Sequence, residues 1–292
     1  MKKLLLGIAL IGMIGVVSSC VESTVIRGNG RVARGAFDIS ADYTALEVSN
    51  GILVEFLAPV SEGVSGAGAA EGAVLEASAG SVSGTVSGSV SGLVEGVIVA
   101  DEEVLEHVAI VEEDGVVKVS YEPFVSVRAD VKTVVTMPLS RALVRLDAES
   151  AGRIVSEVRI VAGELSVECS SAGEVELDID AERLAVELDS AANFRGNLSV
   201  RNLFVEMDSA SRCAVDGRAD YLEVEADSAA NFRGIGLVCG RVDADASSAG
   251  DVEVTVTEEL NARASSGGAV RYKGGPVVVR RESSSGGVVR EI

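Results

Sequence analysis

Tryptophan is absent from this chain, and aromatic residues make up only 3% of it, although 47% is hydrophobic. With 292 residues the chain can bury a large core. That core has to be assembled from Val, Leu, Ala and Ile, a set that suits strands. Histidine is scarce too: the single His107 argues against a Ser-His-Asp triad and against a His-rich metal site. Positive charge is the minority, with 25 Lys and Arg against 45 Asp and Glu, a net charge of −20. Nucleic acid and anionic lipid head groups repel such a surface, so neither is an expected partner of it.

What the chain does have is a repeat. Eight copies of Ser followed by two small residues fill its second half, spaced 18 to 21 residues apart, at Ser150, Ser171, Ser190, Ser209, Ser228, Ser248, Ser266 and Ser285. Six positions before each stand Val144, Leu165, Leu184, Leu203, Leu222, Val242, Leu260 and Val279. Four and two before, the residues are again apolar or small, until Arg281 and Ser283 break the columns. Four after stand Ile154, Val175, Phe194, Cys213, Phe232, Val252, Val270 and Val289. Offsets of two mean a strand with one buried face, and no helical period of 3.6 competes. The Ser-small-small step turns the chain into a second short strand. One such coil cannot bury its own inward face, but stacked coils can. The fold predicted is all-β: a right-handed parallel β-solenoid with coils of about 19 residues, spanning 139–292, about 40 Å long at strand spacing. A β-rich part, 30–138, precedes it.

Residues 1–20 read MKKLLLGIALIGMIGVVSSC. Lys2 and Lys3 followed by an apolar run from Leu4 to Val17 form a secretory leader. Its end, Val17-Ser18-Ser19-Cys20, resembles the lipobox of bacterial lipoproteins. That resemblance implies removal of 1–19, lipidation of Cys20, a tether over 20–29, and a membrane partner reached through the lipid at the outer membrane. The exported chain then carries 23 basic and 45 acidic residues, a net charge of −22. Cys169, Cys213 and Cys239 remain. Two of them lie in apolar columns and read as small hydrophobes, while export leaves a disulfide open.

Alternating strands are predicted over Ala45–Leu57, Val97–Ala100, Val116–Tyr121 and Ser126–Met137, with a hairpin at Asp114-Gly115 and a helical turn over Asp101–His107. Residues 61–96, rich in Gly, Ser and Val with Val-Ser-Gly at a four-residue step, interrupt them as a flexible insertion. Around it, Gly28-Asn29-Gly30, Phe37-Asp38-Ile39 and Leu46 to Phe56 resemble the opening of the head GIN domain, a family also called a putative autotransporter adhesin domain. The likeness resumes at Val97 to Glu102, Glu113 to Val119 and Val134 to Pro138. The family's Ser-Gly turns persist at Ser171-Ala172-Gly173, Ser248-Ala249-Gly250 and Ser266-Gly267-Gly268. It covers about 27–292 apart from the insertion, and departs from the family in placing Ala at many motif Gly positions. The resemblance implies an exported, lipid-anchored β-solenoid with an adhesive or scaffolding role and no catalytic residues to carry over.

Carboxylates recur outward. Three positions before the motif Ser stand Asp147, Glu168, Glu187, Glu206, Glu225 and Asp245; one before it stand Asp189, Asp208 and Asp227. Glu187, Asp189, Glu206, Asp208, Glu225 and Asp227 therefore form a two-by-three grid on one face. Ca²⁺ is the one cofactor such a grid suggests, by bridging like charges at strand spacing, and a solvated acidic face is the plainer reading. The Gly-Gly-x-Gly-x-Asp nonapeptide of calcium β-rolls is missing. Asn193-Phe194-Arg195-Gly196 and Asn231-Phe232-Arg233-Gly234 form a duplicated pair, Phe inward and Arg195 and Arg233 placed to pair with nearby acids. The repeated Ser residues lack a partner base, so no nucleophile is assigned and the chain is expected not to be an enzyme. A protein or glycan ligand of the cell envelope is the expected partner. Carbohydrate binding or processing on the solenoid, and end-to-end polymerisation, are the alternatives.

Overall fold

A computed structural model describes residues 24–58 and 92–292. These residues are almost wholly strand and turn, with one short helix, Glu102–Leu105. The eight repeats stack as successive coils of a parallel β-solenoid, with equivalent residues in register: Leu165 beside Leu184, Leu184 beside Leu203, Leu203 beside Leu222. Inward residues are buried along the whole column, as at Leu184, Val186, Leu188 and Phe194. Val144 and, in the last coil, Val279 are the exceptions. Val144 is 51% exposed, and Leu143 is buried nearby instead. The chain reaches the first repeat coil by crossing from Leu139 to Leu143, not from the corner of a preceding coil, and the alternation begins afresh there.

Each motif Ser and the residue after it have positive φ, as at Ser190 (52°) and Ala191 (65°). The amide two residues after the Ser closes the turn, Ala192 N–H donating to the Asp189 carbonyl at 3.1 Å. This is a type I′ turn built largely without glycine. The turns also bond to one another: the Ala172, Ala191 and Ala210 amides each donate 3.0 Å to the motif Ser carbonyl of the next coil. The third residue packs inward against the previous coil, where a Cβ at Gly173 would collide with the Ala148 carbonyl. In the middle coils the strand after the turn is not short. Asn193–Met207, Arg212–Ala226 and Asn231–Ala246 run on into the next coil's first strand. Their inward alternation slips once per coil, between Val200 and Leu203, where the strand turns a corner.

The N-terminal part does more than precede the solenoid. Ala45–Val48 pairs in register with Arg145–Ala148, and Leu53–Leu57 lies beside Arg153–Ser156. Asn50 (φ 62°) and Gly51 (φ 73°) make the same turn between them. Val116–Tyr121 and Val134–Pro138 add another parallel layer beyond. Spatial order therefore departs from chain order: 45–57 is sandwiched between 116–138 and 145–156. Thr24–Arg27, expected as tether, is a strand paired with Val125–Arg128, and its Ile26 packs on the core. The strand Leu93–Asp101 takes in the last residues read as insertion, because they pair antiparallel with Val32–Ser40. Gly96 there underlies the Phe37 ring, which a Cβ would strike. Residues 61–91 of the insertion, the leader and Cys20 lie outside the described residues.

Antiparallel strands close this end: Leu93–Asp101 on Val134–Pro138, and Val108–Glu113 on Val116–Tyr121 across Asp114-Gly115. Asp101 fastens the cap. Its carboxylate accepts from the backbone N–H groups of Asn29 (3.0 Å), Gly30 (2.7 Å) and Glu103 (3.1 Å), so it both caps the helix and holds the Gly28-Asn29-Gly30 segment. At the other end Val278–Ser283 and, apart from Val289, Val288–Glu291 are exposed, and the Arg281 guanidinium lies 4.9 Å from the Tyr272 ring centre, a polar group over the last core aromatic. Cys169, Cys213 and Cys239 are free and buried. Burial pushes the Cys169 and Cys239 thiols up to about 12, so they pack as hydrophobes.

Candidate functional site: an acidic ladder

Strand pairing places the outward carboxylates in one continuous column. Glu47, Asp147, Glu168, Glu187, Glu206, Glu225 and Asp245 follow one another on adjacent strands. Seven rungs at strand spacing make a row of roughly 30 Å. Lys118 precedes Glu47 at one end, and Arg263 follows Asp245 at the other. Glu47 belongs to this row only because the N-terminal segment enters the stack, and no repeat spacing pointed to it. Among the described residues it is also the one rung held by cations, with Arg145 at 2.5 Å and Lys118 at 3.4 Å.

Five of the six residues of the proposed grid, all but Asp227, line shallow depressions along the row. One, of about 350 Å³, is lined by Asp147, Glu149, Glu168, Glu187, Asp189, Glu206 and Asp208, with Cys169, Ser170 and Leu188. The next, of about 180 Å³, lies between Ala185 and Phe204 among Glu187, Glu206, Glu223 and Glu225. The two columns differ in their duties. Asp189, Asp208 and Asp227 each accept from the N–H of the following Ser, at 2.6, 2.5 and 2.6 Å. The Ser190 and Ser209 hydroxyls hold the Asp189 carboxyl below its usual range; those of Ser248 and Ser247, with the Ser228 amide, do the same for Asp227. This column fastens the I′ turns. The column of Glu187, Glu206 and Glu225 is exposed, and among the described residues it has no ion-pair partner.

Asp147 is strained differently. Half-buried and flanked in register by Glu47 and Glu168, it is pushed up to about 6, first by burial and then by Glu168 and Glu149, against the opposing pull of Arg145. Among the described residues, no group of three or more Asp, Glu, His or Cys side chains converges to hold a metal ion. The rungs stand a strand spacing apart, and Asp189, Asp208 and Asp227 are turned toward their serines.

Beside the ladder lies a feature that the column reading passed over. Phe204 and Tyr221 project outward with ring centres 6.1 Å apart, and the Arg183 guanidinium stands 4.1 Å from the Phe204 ring. The Tyr221 hydroxyl donates to Asp243 (2.7 Å) and Glu223 (3.1 Å); burial and these two carboxylates raise its pKa. In a chain so poor in aromatics, two of them at odd offsets from the motif Ser, where inward residues do not fall, were the available signal.

Residues 92–276 match the family described as "Putative auto-transporter adhesin, head GIN domain". No curated protein matches the chain. Among solved structures, a putative adhesin from Parabacteroides distasonis is similar with a TM-score of 0.74 at 16% identity, covering 92% of this chain and 100% of that one. A putative adhesin from Parabacteroides merdae gives 0.71 at 19% identity over 92% and 99% of the two chains. A protein from P. distasonis described as a putative lipid binding protein gives 0.70 at 16% identity over 92% and 100%. Identities this low establish the shared fold.

Proposed function

Since the chain belongs to the head GIN domain family of putative auto-transporter adhesins, we propose that it is an exported, lipid-anchored envelope protein acting as a non-catalytic adhesion or scaffolding module. The observation that carries this reading is the acidic ladder: a long surface of repeated groups, each rung equivalent to the next. A surface of that kind suits extended contact. Catalysis asks for a singular constellation of acid, base and nucleophile. Cys20 supplies the lipid anchor in this reading, and the ladder faces the ligand.

The Phe204–Tyr221 pair favours a glycan among envelope ligands. A half-buried ring flanked by Arg183, Glu223 and Asp243 offers an apolar face for a sugar and hydrogen-bonding groups around its rim. Protease treatment of intact cells, followed by glycan-array binding with the full chain and its Phe204→Ala variant, tests both parts. Digestion on intact cells and array signals lost in the variant are expected. Protection from protease in intact cells would move the protein to an internal envelope role and end the adhesion reading.

A further inference from the structure

The face that follows the turn carries the opposite charge in the same coils. Its outward residues nearest the turn in the third to fifth repeat coils are Asn193, Arg195, Arg212, Ala214, Asn231 and Arg233, in register across three strands, with Asp216 one outward position further along. No acid stands among these six positions. The sequence expectation that Arg195 and Arg233 pair with nearby acids fails: among the described residues neither they nor Arg212 make an ion pair, and the one side-chain bond that any of the three makes is Arg233 Nε donating to Asn231 Oδ1 at 2.9 Å. The acids at the equivalent positions of the flanking coils are already occupied. Glu174 and Glu176 pair with Arg153, and Asp251 and Glu253 with Arg271. Three exposed guanidinium groups are left over, in a molecule of net charge −20.

We propose that this arginine face docks the acidic ladder of a second copy of the chain, joining solenoids side by side. Both halves of the contact are present on one molecule and share one pitch. Arg195, Arg212 and Arg233 occupy three successive coils, as do the unpaired Glu187, Glu206 and Glu225. Guanidinium forks match carboxylates in geometry as well as charge. Net negative charge opposes the approach of two copies. Screening over about 8 Å at physiological salt weakens that long-range term more than the ion pairs at contact. The contact is heterologous, ladder to arginine face, so each added copy presents a fresh surface of both kinds and the assembly closes into a ring or extends. The inference does not rest on the adhesion reading; a chain with no ligand on another cell can still array.

Two full-length chains test it, one carrying Glu206→Cys and the other Arg212→Cys, exposed to mild oxidant. Both chains also carry Cys20→Ser, which removes the one further thiol of the sequence, and Cys169, Cys213 and Cys239 are buried and stay silent. Cross-linked dimer in the mixture should exceed that of either chain alone by at least about fivefold, and should fall as salt rises from about 0.15 to 0.5 M. Adding Arg195→Gln and Arg233→Gln to the Arg212→Cys chain, both at exposed positions, should abolish the excess. No excess in the mixture overturns the proposal, as does an excess that survives these substitutions. Arg-dependent retention of a chain that stays monomeric on a sulfated or uronic-acid polymer would also overturn it, and would assign the face to polyanions.

Discussion

At the scale of single residues, the turns show which positions carry strain. Ser211 stands in the column between Ala192 and Ala230, fully buried, and among the described residues its hydroxyl has no hydrogen-bond partner. Its neighbours fill the same place with a methyl group. Ser211→Ala should therefore stabilise the fold by about 1 kcal/mol, the cost of a buried hydroxyl left unsatisfied. A urea midpoint that moves down would show that the hydroxyl is in fact bonded. Ala191 bears the other kind of strain. At φ 65° its Cβ crowds the chain, at roughly 1–2 kcal/mol. Glycine removes that strain but adds about 0.4–1 kcal/mol of unfolded-chain entropy. Ala191→Gly should thus gain about 0.5 kcal/mol in urea denaturation, and a loss would mean that the stacked turn depends on the methyl. The family's Gly turns, replaced by Ala here, fit this balance.

At the scale of elements, the part most visible in the sequence was the part that repeats. A period of two placed Leu184, Val186 and Leu188 inside, and the spacing of the motif Ser residues fixed which strands adjoin. The two extra layers were hidden for a topological reason. Strands Ala45–Val48 and Val116–Tyr121 adjoin in space but are separated by the insertion in the chain. Asn50-Gly51 is a strong I′ signal, yet a lone turn says nothing about where its coil stacks. Half of the ladder's character was hidden likewise: the acids were legible as a column, but not that Asp189, Asp208 and Asp227 serve their own turns. The Asp101 latch illustrates the same limit, since its partners lie some seventy residues upstream. Burial alone would raise the Asp101 pKa, but three backbone N–H groups and Arg31 outweigh it and hold the carboxyl below its usual range. Asp101→Ala should free the cap before the solenoid. Amide exchange is expected to quicken at Asn29, Gly30 and Glu103 while the Leu203 and Leu222 amides keep their protection. Equal loss of protection throughout would show that the cap and the coils unfold as one unit.

At the scale of the whole molecule, stability follows from how a strongly acidic chain distributes its carboxylates, and two groups pull in opposite directions as pH falls. Asp147 titrates near 6 in the folded chain, above its unfolded value, because burial and its acidic neighbours disfavour the charge. Between its unfolded value and 6 the folded state binds the extra proton, so this group adds stability as pH falls from 7 toward 5. Asp101, Asp189 and Asp227 are held below their unfolded values. Their contribution is full above pH 4 and is lost below it, when protonation breaks the bonds to backbone and Ser. The melting temperature should accordingly rise modestly from pH 7 to about 5 and drop below about 4. Asp147→Asn isolates the first limb. At pH 7 it should stabilise the fold by about 1 kcal/mol, reduced from the full linkage value because half the side chain is in solvent, and it should flatten the rise toward pH 5. A melting temperature that falls steadily from pH 7, in both the parent chain and the variant, would mean that solvent and mobile ions screen the ladder so well that its rungs do not sense one another.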